Sequence, residues 1–138
     1  MKTITFAVPC FNSAAYMDHC VETLLACGED IEILLVDDGS TKDNTAEIAD
    51  GWAERYPDIV RAIHQPNKGH GGAVNTGLAN ATGFYFKVVD SDDWLDAAAM
   101  FPLMEYMRSQ VDAPVPCDMV VANYVYEKVD EGVQKVMG

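Results

Sequence analysis

The sequence predicts an α/β fold in which a mostly parallel sheet is flanked by helices, and three observations lead to this prediction. Short apolar runs rich in β-branched residues alternate with longer segments whose apolar residues recur at helical spacing. Two of the runs, at 31–36 and 84–89, lack a clear polar face, which is typical of strands buried on both sides of a parallel sheet. The regular strand-helix order favours right-handed crossovers between parallel strands.

Length and composition indicate one folded domain over residues 1–138. A chain of 138 residues is large enough for a single hydrophobic core, and 49% hydrophobic with 22% charged residues is ordinary for a globular protein. The 9 basic and 22 acidic residues give a net charge of −13, which repels a phosphate backbone and argues against nucleic acid as a partner.

The cellular location is predicted from the lack of a membrane helix and of a signal peptide in the sequence. No apolar stretch approaches the roughly 20 residues of a membrane helix, and the first residues lack a signal-peptide pattern. We therefore expect a cytoplasmic protein, or one at the cytoplasmic face of a membrane in its full-length form. The four cysteines have no C-x-x-C pair and no zinc spacing, so we expect them to be reduced and partly buried.

The first half of the chain predicts two strand-helix units. A strand over 3–8 is expected to end at Pro9, which cannot donate a ladder hydrogen bond, and a helix over 14–27 follows. The second strand is 31–36, and the second helix has its apolar face within 45–56 before Pro57 stops it.

The second half continues the alternation. A strand over 59–63 is expected near the sheet edge because Arg61 and His64 are polar, and a glycine-rich loop then precedes a helix that runs to about residue 81. The strand over 84–89 and a helix over 96–108 follow, and a last strand is predicted at 119–126. The polar tail completes no element, so we expect this chain to be the front part of a longer protein.

Acidic residues follow two of the predicted buried strands. Asp37 and Asp38 come after the strand 31–36, and Asp90 and Asp92 come after the strand 84–89. The carboxyl ends of parallel strands share one edge of the sheet, where ligands bind in open α/β folds. Oxygen donors there suit a hard cation such as Mg²⁺ or Mn²⁺, particularly one shared with a substrate phosphate. The alternative is a generic α/β domain whose acids are solvated helix caps.

The glycine-rich loop is a weaker signal. Free amides before a helix can hold phosphate, but the loop matches neither a P-loop nor a dinucleotide fingerprint. Lys68 and His70 are the positive or potentially positive side chains within it.

Four ordered segments together resemble family 2 glycosyltransferases of the GT-A fold. They are VPCFN at 8–12, LLVDDGSTKDNT at 34–45, NKGHGGAVNTGL at 67–78 and FKVVDSDDW at 86–94, and the resemblance covers about 3–126. It implies a Rossmann-like GT-A domain that binds a nucleotide-diphospho-sugar, commonly a UDP-sugar, with Mg²⁺ or Mn²⁺. Such enzymes transfer the sugar with inversion to a saccharide, lipid or polymer acceptor.

The resemblance also implies roles for individual residues. The aromatic ring of Phe11, beside Pro9, would stack on the nucleobase, and Asp38 with Asp37 beside it would accept a hydrogen bond from the base. Asp90 and Ser91 would lie near the ribose.

The acids at 90–93 would have a second role by the same resemblance. Asp92, together with Asp90, would ligate the metal, which offsets negative charge on the departing diphosphate. Asp93 would cap the following helix.

Two features depart from the family pattern. Val74 stands where relatives often have Arg, so a cationic contact to the nucleotide is either missing or supplied by Lys68. Inverting transfer also needs a general base, which relatives supply from a later half, so we expect this chain to bind the donor without catalysing transfer alone.

Two other classes of protein remain open alternatives. A phospho-acceptor receiver module should carry its acid pair after the first strand, where this chain has PCFN. A sugar nucleotidyltransferase should have its basic glycine-rich loop there, whereas here the loop lies past residue 66. The sugar and the acceptor are not determined by the sequence.

Overall fold

The computed structural model describes residues 2–111 and 126–127, and within them helices surround a four-stranded parallel sheet. The predicted α/β class is confirmed. In chain order the elements are β1 (Ile4–Cys10), α1 (Met17–Leu25), β2 (Ile31–Asp38), α2 (Thr45–Arg55), β3 (Val60–Gln65), α3 (Gly69–Asn80), β4 (Tyr85–Val88), β5 (Trp94–Leu95), α4 (Ala97–Val111) and β6 (Tyr126–Glu127).

The sheet has the strand order β3-β2-β1-β4, and all of its pairs are parallel. The central strands β1 and β2 are buried at every position, because apolar layers cover both of their faces. β3 is at the edge, as its exposed Arg61 and His64 predicted. β5 and β6 form a separate antiparallel pair, with Leu95 opposite Tyr126.

The hydrophobic core is divided by the sheet. On one face, the side chains of β1 and β2 pack against α1, α2 and α4, including Met100, Met104 and Met107 of α4. On the other face, Leu34 and Val36 pack with Ala73 of α3. The result is a helical layer on each side of the sheet, which leaves the carboxyl ends of the strands uncovered by helices.

The prediction that Pro9 ends the first strand is wrong. Pro9 lies inside β1, opposite Val36 of β2. The Ala7 carbonyl accepts a hydrogen bond from the Val89 amide, so Ala7 faces β4, and Pro9, two residues later, faces the same side. The pairing of β1 with β4 stops at Ala7, so the missing N–H of Pro9 faces a side that needs no donor.

The strand at 84–89 is shorter and less buried than predicted. β4 is an outer strand of the sheet as described for residues 2–111, and its side chains at Phe86, Lys87 and Val88 are half-buried. A strand buried on both faces would be apolar throughout, whereas β4 contains the charged Lys87. The strand predicted at 119–126 lies outside the described residues except for Tyr126.

The glycines predicted to precede the third helix lie inside it. α3 begins at Gly69, so Gly71 and Gly72 belong to its first turn. The helix can begin this early because the Asp38 carboxylate accepts hydrogen bonds from the Lys68 and Gly69 amides and so caps the helix.

Cys10, Cys20 and Cys27 are free and buried, as predicted, whereas Cys117 lies outside the described residues. Burial raises the pKa of the Cys27 thiol to about 11, which keeps this thiol protonated at neutral pH. None of the helices within residues 2–111 combines the length and the apolar character needed to cross a bilayer.

Candidate functional site

An open cleft of about 400 Å³ lies at the carboxyl ends of β1, β2 and β4. This volume is in the range of small-molecule sites. Six of the residues predicted for the site line the cleft: Pro9, Phe11, Asp38, Asp90, Ser91 and Asp92. The other lining residues are Cys10, Asn12, Ser13, Tyr16, Asn67, Gly69, His70 and Ala73. Asp37 and Lys68, also predicted for the site, are not among the lining residues.

Three carboxylates form a compact cluster after β4. One oxygen each of Asp90, Asp92 and Asp93 lies within 4.8 Å of the other two. A tight turn holds them together, because the Asp93 amide donates to the Asp90 carbonyl over 2.9 Å. Asp92 is exposed and Asp93 is buried. An all-oxygen donor set of this kind fits a hard divalent cation.

The role predicted for Asp93 as a helix cap is wrong. The oxygen Oδ1 of Asp96 accepts hydrogen bonds from the Ala98 and Ala99 amides, at 2.9 and 3.4 Å, and so caps α4. Asp93 is 3% exposed and points into the acidic cluster instead. Asp96, three residues later, is better placed to cap because it immediately precedes the helix.

Lys87 of β4 lies in the field of the same cluster. Burial lowers the pKa of the Lys87 ammonium to about 8, while the negative charges of Asp90 and Asp93 act in the opposite direction. A half-buried cation therefore lies close enough to Asp90 and Asp93 to interact with them electrostatically.

The two acids at the end of β2 are in a different environment. The Asp37 carboxylate accepts a hydrogen bond from the Ser40 amide at 3.0 Å and contacts His64 Nδ1 at 2.9 Å. Burial alone would raise the pKa of Asp37, but the bonds to His64 and Ser40 outweigh it and lower the pKa. The other ring nitrogen of His64 is 2.7 Å from Asp50 of α2, and the bonds to Asp37 and Asp50 raise the pKa of His64.

Asp38 joins three parts of the chain through one carboxylate. Its Oδ1 accepts from Gln65 Nε2 at 2.9 Å and from the Lys68 amide at 2.8 Å, and its Oδ2 accepts from the Gly69 amide at 2.9 Å. A carboxylate has about four lone-pair positions, so one position on Oδ2 is left by these three bonds. Asp38 is 3% exposed and still lines the cleft.

The turn after Asp38 requires glycine. Gly39 has φ +76°, and a Cβ at this position would lie 2.8 Å from the Asn67 amide nitrogen. The close approach of the two loops at Gly39 and Asn67 therefore fixes the wall of the cleft next to Asp38.

The loop after β1 is joined to the loop after β2 by side chains. Asn12 has φ +50°, and its Oδ1 accepts the Thr41 and Lys42 amides at 3.1 Å each. The Asn12 amide in turn donates to Ser40 Oγ over 2.9 Å. Asn is among the residues that tolerate this left-handed conformation. These bonds hold Phe11, the residue before Asn12, at the mouth of the cleft, where it is 50% exposed.

Two hydrogen bonds connect the loop after β1 and the start of α3 to the turn at 90–93. Ser13 Oγ lies 2.7 Å from Ser91 Oγ, and His70 Nε2 lies 2.9 Å from Asp90 Oδ1. His70, rather than the predicted Lys68, is the potentially cationic side chain that lines the cleft. Lys68 contributes its backbone amide to Asp38, and its exposed side chain is not part of the lining.

Sequence reasoning missed Asn12, Ser13, Tyr16 and His70 as site residues. His70 lies in the segment NKGHGGAVNTGL, directly after Gly69. Its place in the first turn of α3 could be recognised only once the start of that helix at Gly69 was known. The helix predicted over 14–27 would begin directly after Asn12 and Ser13. α1 begins only at Met17, which leaves both residues in the loop beside the cleft.

Comparison with known proteins identifies the family. The model of Glycosyl transferase family 2 matches residues 5–132 of this chain. Glycosyltransferase GlyG of Streptococcus pneumoniae is 39% identical over 132 residues, which are 94% of this chain and 42% of GlyG. Chondroitin synthase of Escherichia coli is 35% identical over 109 residues, which are 78% of this chain and 16% of that enzyme. The chain thus spans less than half the length of these relatives.

Solved structures share the fold. Staphylococcus aureus TarS 1-349 in complex with UDP-GlcNAc aligns with a TM-score of 0.66 at 24% identity, over 80% of this chain and 32% of that chain. The mannosyltransferase PcManGT of Pyrobaculum calidifontis, in complex with GDP-Man and Mn²⁺, also aligns with a TM-score of 0.66 at 24% identity. That alignment covers 81% of this chain and 33% of PcManGT. These neighbours confirm the predicted GT-A fold.

Proposed function

Because the chain belongs to glycosyl transferase family 2, we propose that its cleft binds the nucleotide-diphospho-sugar donor of a metal-dependent, inverting sugar transfer. The observation that carries the proposal is the presence, in one cleft, of exposed aromatic rings, a buried carboxylate with one acceptor position left, and a three-acid cluster. A nucleoside diphosphate has a ring to stack, an N–H to donate and phosphates to bridge to a cation.

The nucleobase half of the donor is assigned to the walls after β1 and β2. Phe11 and Tyr16 are 50% and 56% exposed at the cleft mouth, and either ring offers a face for stacking. Pro9 lines the floor beside them. The remaining lone pair of Asp38 Oδ2 can accept an imide N–H, which uracil has. We propose a UDP-sugar, which the UDP-GlcNAc complex of TarS supports, with a GDP-sugar as the alternative because guanine also has a ring N–H and PcManGT is in complex with GDP-Man.

The diphosphate half is assigned to the end of β4. Asp90, Asp92 and Asp93 would hold Mg²⁺ or Mn²⁺, and the Mn²⁺ in the PcManGT complex supports a cation in this fold. A bound cation would supply Lewis-acid stabilisation of negative charge on the leaving diphosphate. His70, whose Nε2 lies 2.9 Å from Asp90 Oδ1, would contact the phosphates in the role that we expected for Lys68. Asp37, which does not line the cleft, supports the site indirectly through Ser40 and His64.

The acceptor and the general base are not assigned to the cleft residues. Inverting transfer needs a carboxylate or an imidazole to take the acceptor hydroxyl proton. We propose that this base and the acceptor site belong to the part of the relatives that the chain does not cover. The acceptor class, whether saccharide, lipid or polymer, and any association with a membrane belong to that part as well.

Calorimetric titration of the purified chain with UDP and GDP, with and without Mn²⁺, tests the donor site. We expect UDP binding that requires Mn²⁺ in the native chain and weakens by roughly 100-fold or more in Asp92→Ala, because an exposed metal ligand is removed. Asp58→Ala removes an exposed carboxylate outside the cleft lining and serves as the matched control.

Two results would contradict the proposal in different ways. UDP binding of equal affinity with and without Mn²⁺ would contradict the metal dependence but not the nucleotide site. If no nucleoside diphosphate binds to the folded chain in the presence of Mn²⁺, the proposed donor site is contradicted as a whole.

A further inference from the structure

The acidic turn after β4 packs against one side of α1. Cys20 Sγ lies 3.7 Å from the Asp90 carbonyl oxygen, at the start of the turn. Thr23 Oγ1 lies 3.1 Å from the Leu95 amide nitrogen, just after the last acid of the cluster. Cys20 and Thr23 stand at i and i+3 in α1, so their side chains project from the same side of the helix. The helix therefore contacts the chain both before and after the three carboxylates.

The direction of both hydrogen bonds at Thr23 is fixed by the groups that its hydroxyl meets. A backbone amide can only donate, and a backbone carbonyl can only accept. The Thr23 hydroxyl therefore accepts from the Leu95 amide and donates its one proton to the Cys20 carbonyl, 2.8 Å away within α1. Leu95 is 2% exposed, so its amide is shielded from water and Thr23 supplies the acceptor that it needs.

A third contact joins the same segment to α1. The ring of Trp94, directly after Asp93, meets the ring of His19 edge to face, with the ring centroids 4.7 Å apart. His19 and Thr23 are one helical turn apart in α1, and they contact the two successive residues of β5. The strand that follows the acids is thus fixed to the helix at both of its residues.

The three acids need such an attachment because they do not attract one another. One oxygen each of Asp90, Asp92 and Asp93 lies within 4.8 Å of the other two, and like charges at this distance repel. The bond from the Asp93 amide to the Asp90 carbonyl closes the turn itself. The bond from Leu95 to Thr23 determines where the chain leaves the turn. The carboxylates are therefore brought together by the backbone before any cation is added.

We propose that α1 holds the acidic turn in its cation-binding arrangement and that Thr23 is the positioning residue for this arrangement. The inference rests on the proposed function, since it assumes that Asp90, Asp92 and Asp93 bind a divalent cation. Thr23 is not among the residues that line the cleft, and it acts through the backbone of Leu95.

Titration of the native chain and Thr23→Val with Mn²⁺, alone and with UDP, tests the inference when free Mn²⁺ is measured by electron paramagnetic resonance. Valine keeps the β-branched shape of threonine, but a methyl group replaces the acceptor of the Leu95 amide. We expect the Mn²⁺ affinity to fall about 3- to 10-fold, the amount that corresponds to one hydrogen bond. Thr23→Ser retains the hydroxyl and should retain the native affinity.

The affinity for UDP separates positioning from a general loss of structure. At saturating Mn²⁺, UDP should bind the native chain and Thr23→Val equally, because the cleft walls after β1 and β2 are unchanged. Thr3→Val is the matched control. It removes a threonine hydroxyl that donates to Asp30 over 2.6 Å at the amino end of β1, and it should keep the native Mn²⁺ affinity. Should Thr23→Val fail to fold, Thr23→Ala removes the same acceptor without placing a methyl group against the Leu95 amide.

Each outcome decides one of the two proposals. Native Mn²⁺ affinity in Thr23→Val or Thr23→Ala overturns the role of Thr23 and leaves the donor site standing. An equal loss of affinity in Thr23→Ser, or weaker UDP binding to Thr23→Val at saturating Mn²⁺, also overturns that role, because neither follows from the loss of one acceptor. If the native chain binds no Mn²⁺, with or without UDP, this inference and the proposed metal site are overturned together.

Discussion

The carboxyl ends of β2 and β4 both carry neighbouring aspartates, yet the two ends are built for different tasks. Asp37 and Asp38 are 4% and 3% exposed, and amide and side-chain groups fill most of their acceptor positions. At the end of β4, Asp90 and Asp92 are more exposed, and they converge with Asp93 within 4.8 Å. The first end fastens the loops of the cleft, and the second concentrates negative charge.

The groups that each turn brings to the carboxylates account for this difference. The turn at Gly39 and the close approach of the loop at 67–69 bring amides to the carboxylates of β2. The turn at 90–93 instead brings carboxylates towards one another. A carboxylate that accepts several hydrogen bonds contributes to stability, whereas crowded like charges favour a bound cation.

The largest expected difference between the two strand ends is in their contribution to the free energy of unfolding. Asp38→Ala removes three hydrogen bonds to one buried carboxylate, so the free energy of unfolding should fall by about 2–4 kcal/mol. Asp92→Ala removes an exposed acid among like charges and should change it by no more than about 0.5 kcal/mol. Urea denaturation of both variants beside the native chain measures this. Similar losses in the two variants would show that the ends do not differ as described.

A second effect concerns Mn²⁺ without nucleotide. At about 100 times its dissociation constant, a cation that binds only the folded chain raises the free energy of unfolding by about 2.7 kcal/mol. We expect this increment in the native chain and in Asp37→Ala, and we expect it to disappear in Asp92→Ala. Thermal unfolding with and without Mn²⁺ is the measurement. If the increment is lost in Asp37→Ala and retained in Asp92→Ala, the cation binds at the end of β2, which contradicts this prediction.

The smallest effect is a pH dependence at the end of β2. Bonds to Asp37 and Asp50 raise the pKa of His64 above its usual 6.5, so the imidazolium binds its proton more tightly when folded. The resulting stabilisation is fully present below about pH 6.5 and is lost as pH rises through the folded pKa. It should be below about 1 kcal/mol, since the His64 side chain is 41% exposed.

Chemical denaturation of the native chain and His64→Gln between about pH 6 and pH 9 measures this effect. The native chain should lose stability relative to the variant as the pH rises. The pKa of Asp37 is lowered, so that carboxylate stays ionised throughout this range and does not contribute to the slope. Equal slopes in the two proteins would show that the contacts of His64 with Asp37 and Asp50 do not link stability to its protonation.

The sequence predicted the features that depend on neighbouring residues. Apolar periodicity predicted the strand-helix order and the apolar face of α2, because side-chain direction repeats locally in helices and strands. The polar Arg61 and His64 predicted the edge position of β3. The parallel order then implied that Asp38, Asp90 and Asp92 share one rim of the sheet, and all three line the cleft. Pro9 misled because its effect depends on which side of β1 it faces, and that side is set by the pairing with β4.

The roles of individual polar groups depended on contacts that are remote in sequence. Asp37 meets His64 across 27 positions, and Ser13 meets Ser91 across 78, so the register of the parallel strands decides both pairs. By itself, the sequence determined the α/β class, the family resemblance and the rim on which the acids lie. Only the tertiary structure decided which acids hold loops and which form an open cluster, because hydrogen-bond saturation depends on donors that folding brings from other strands.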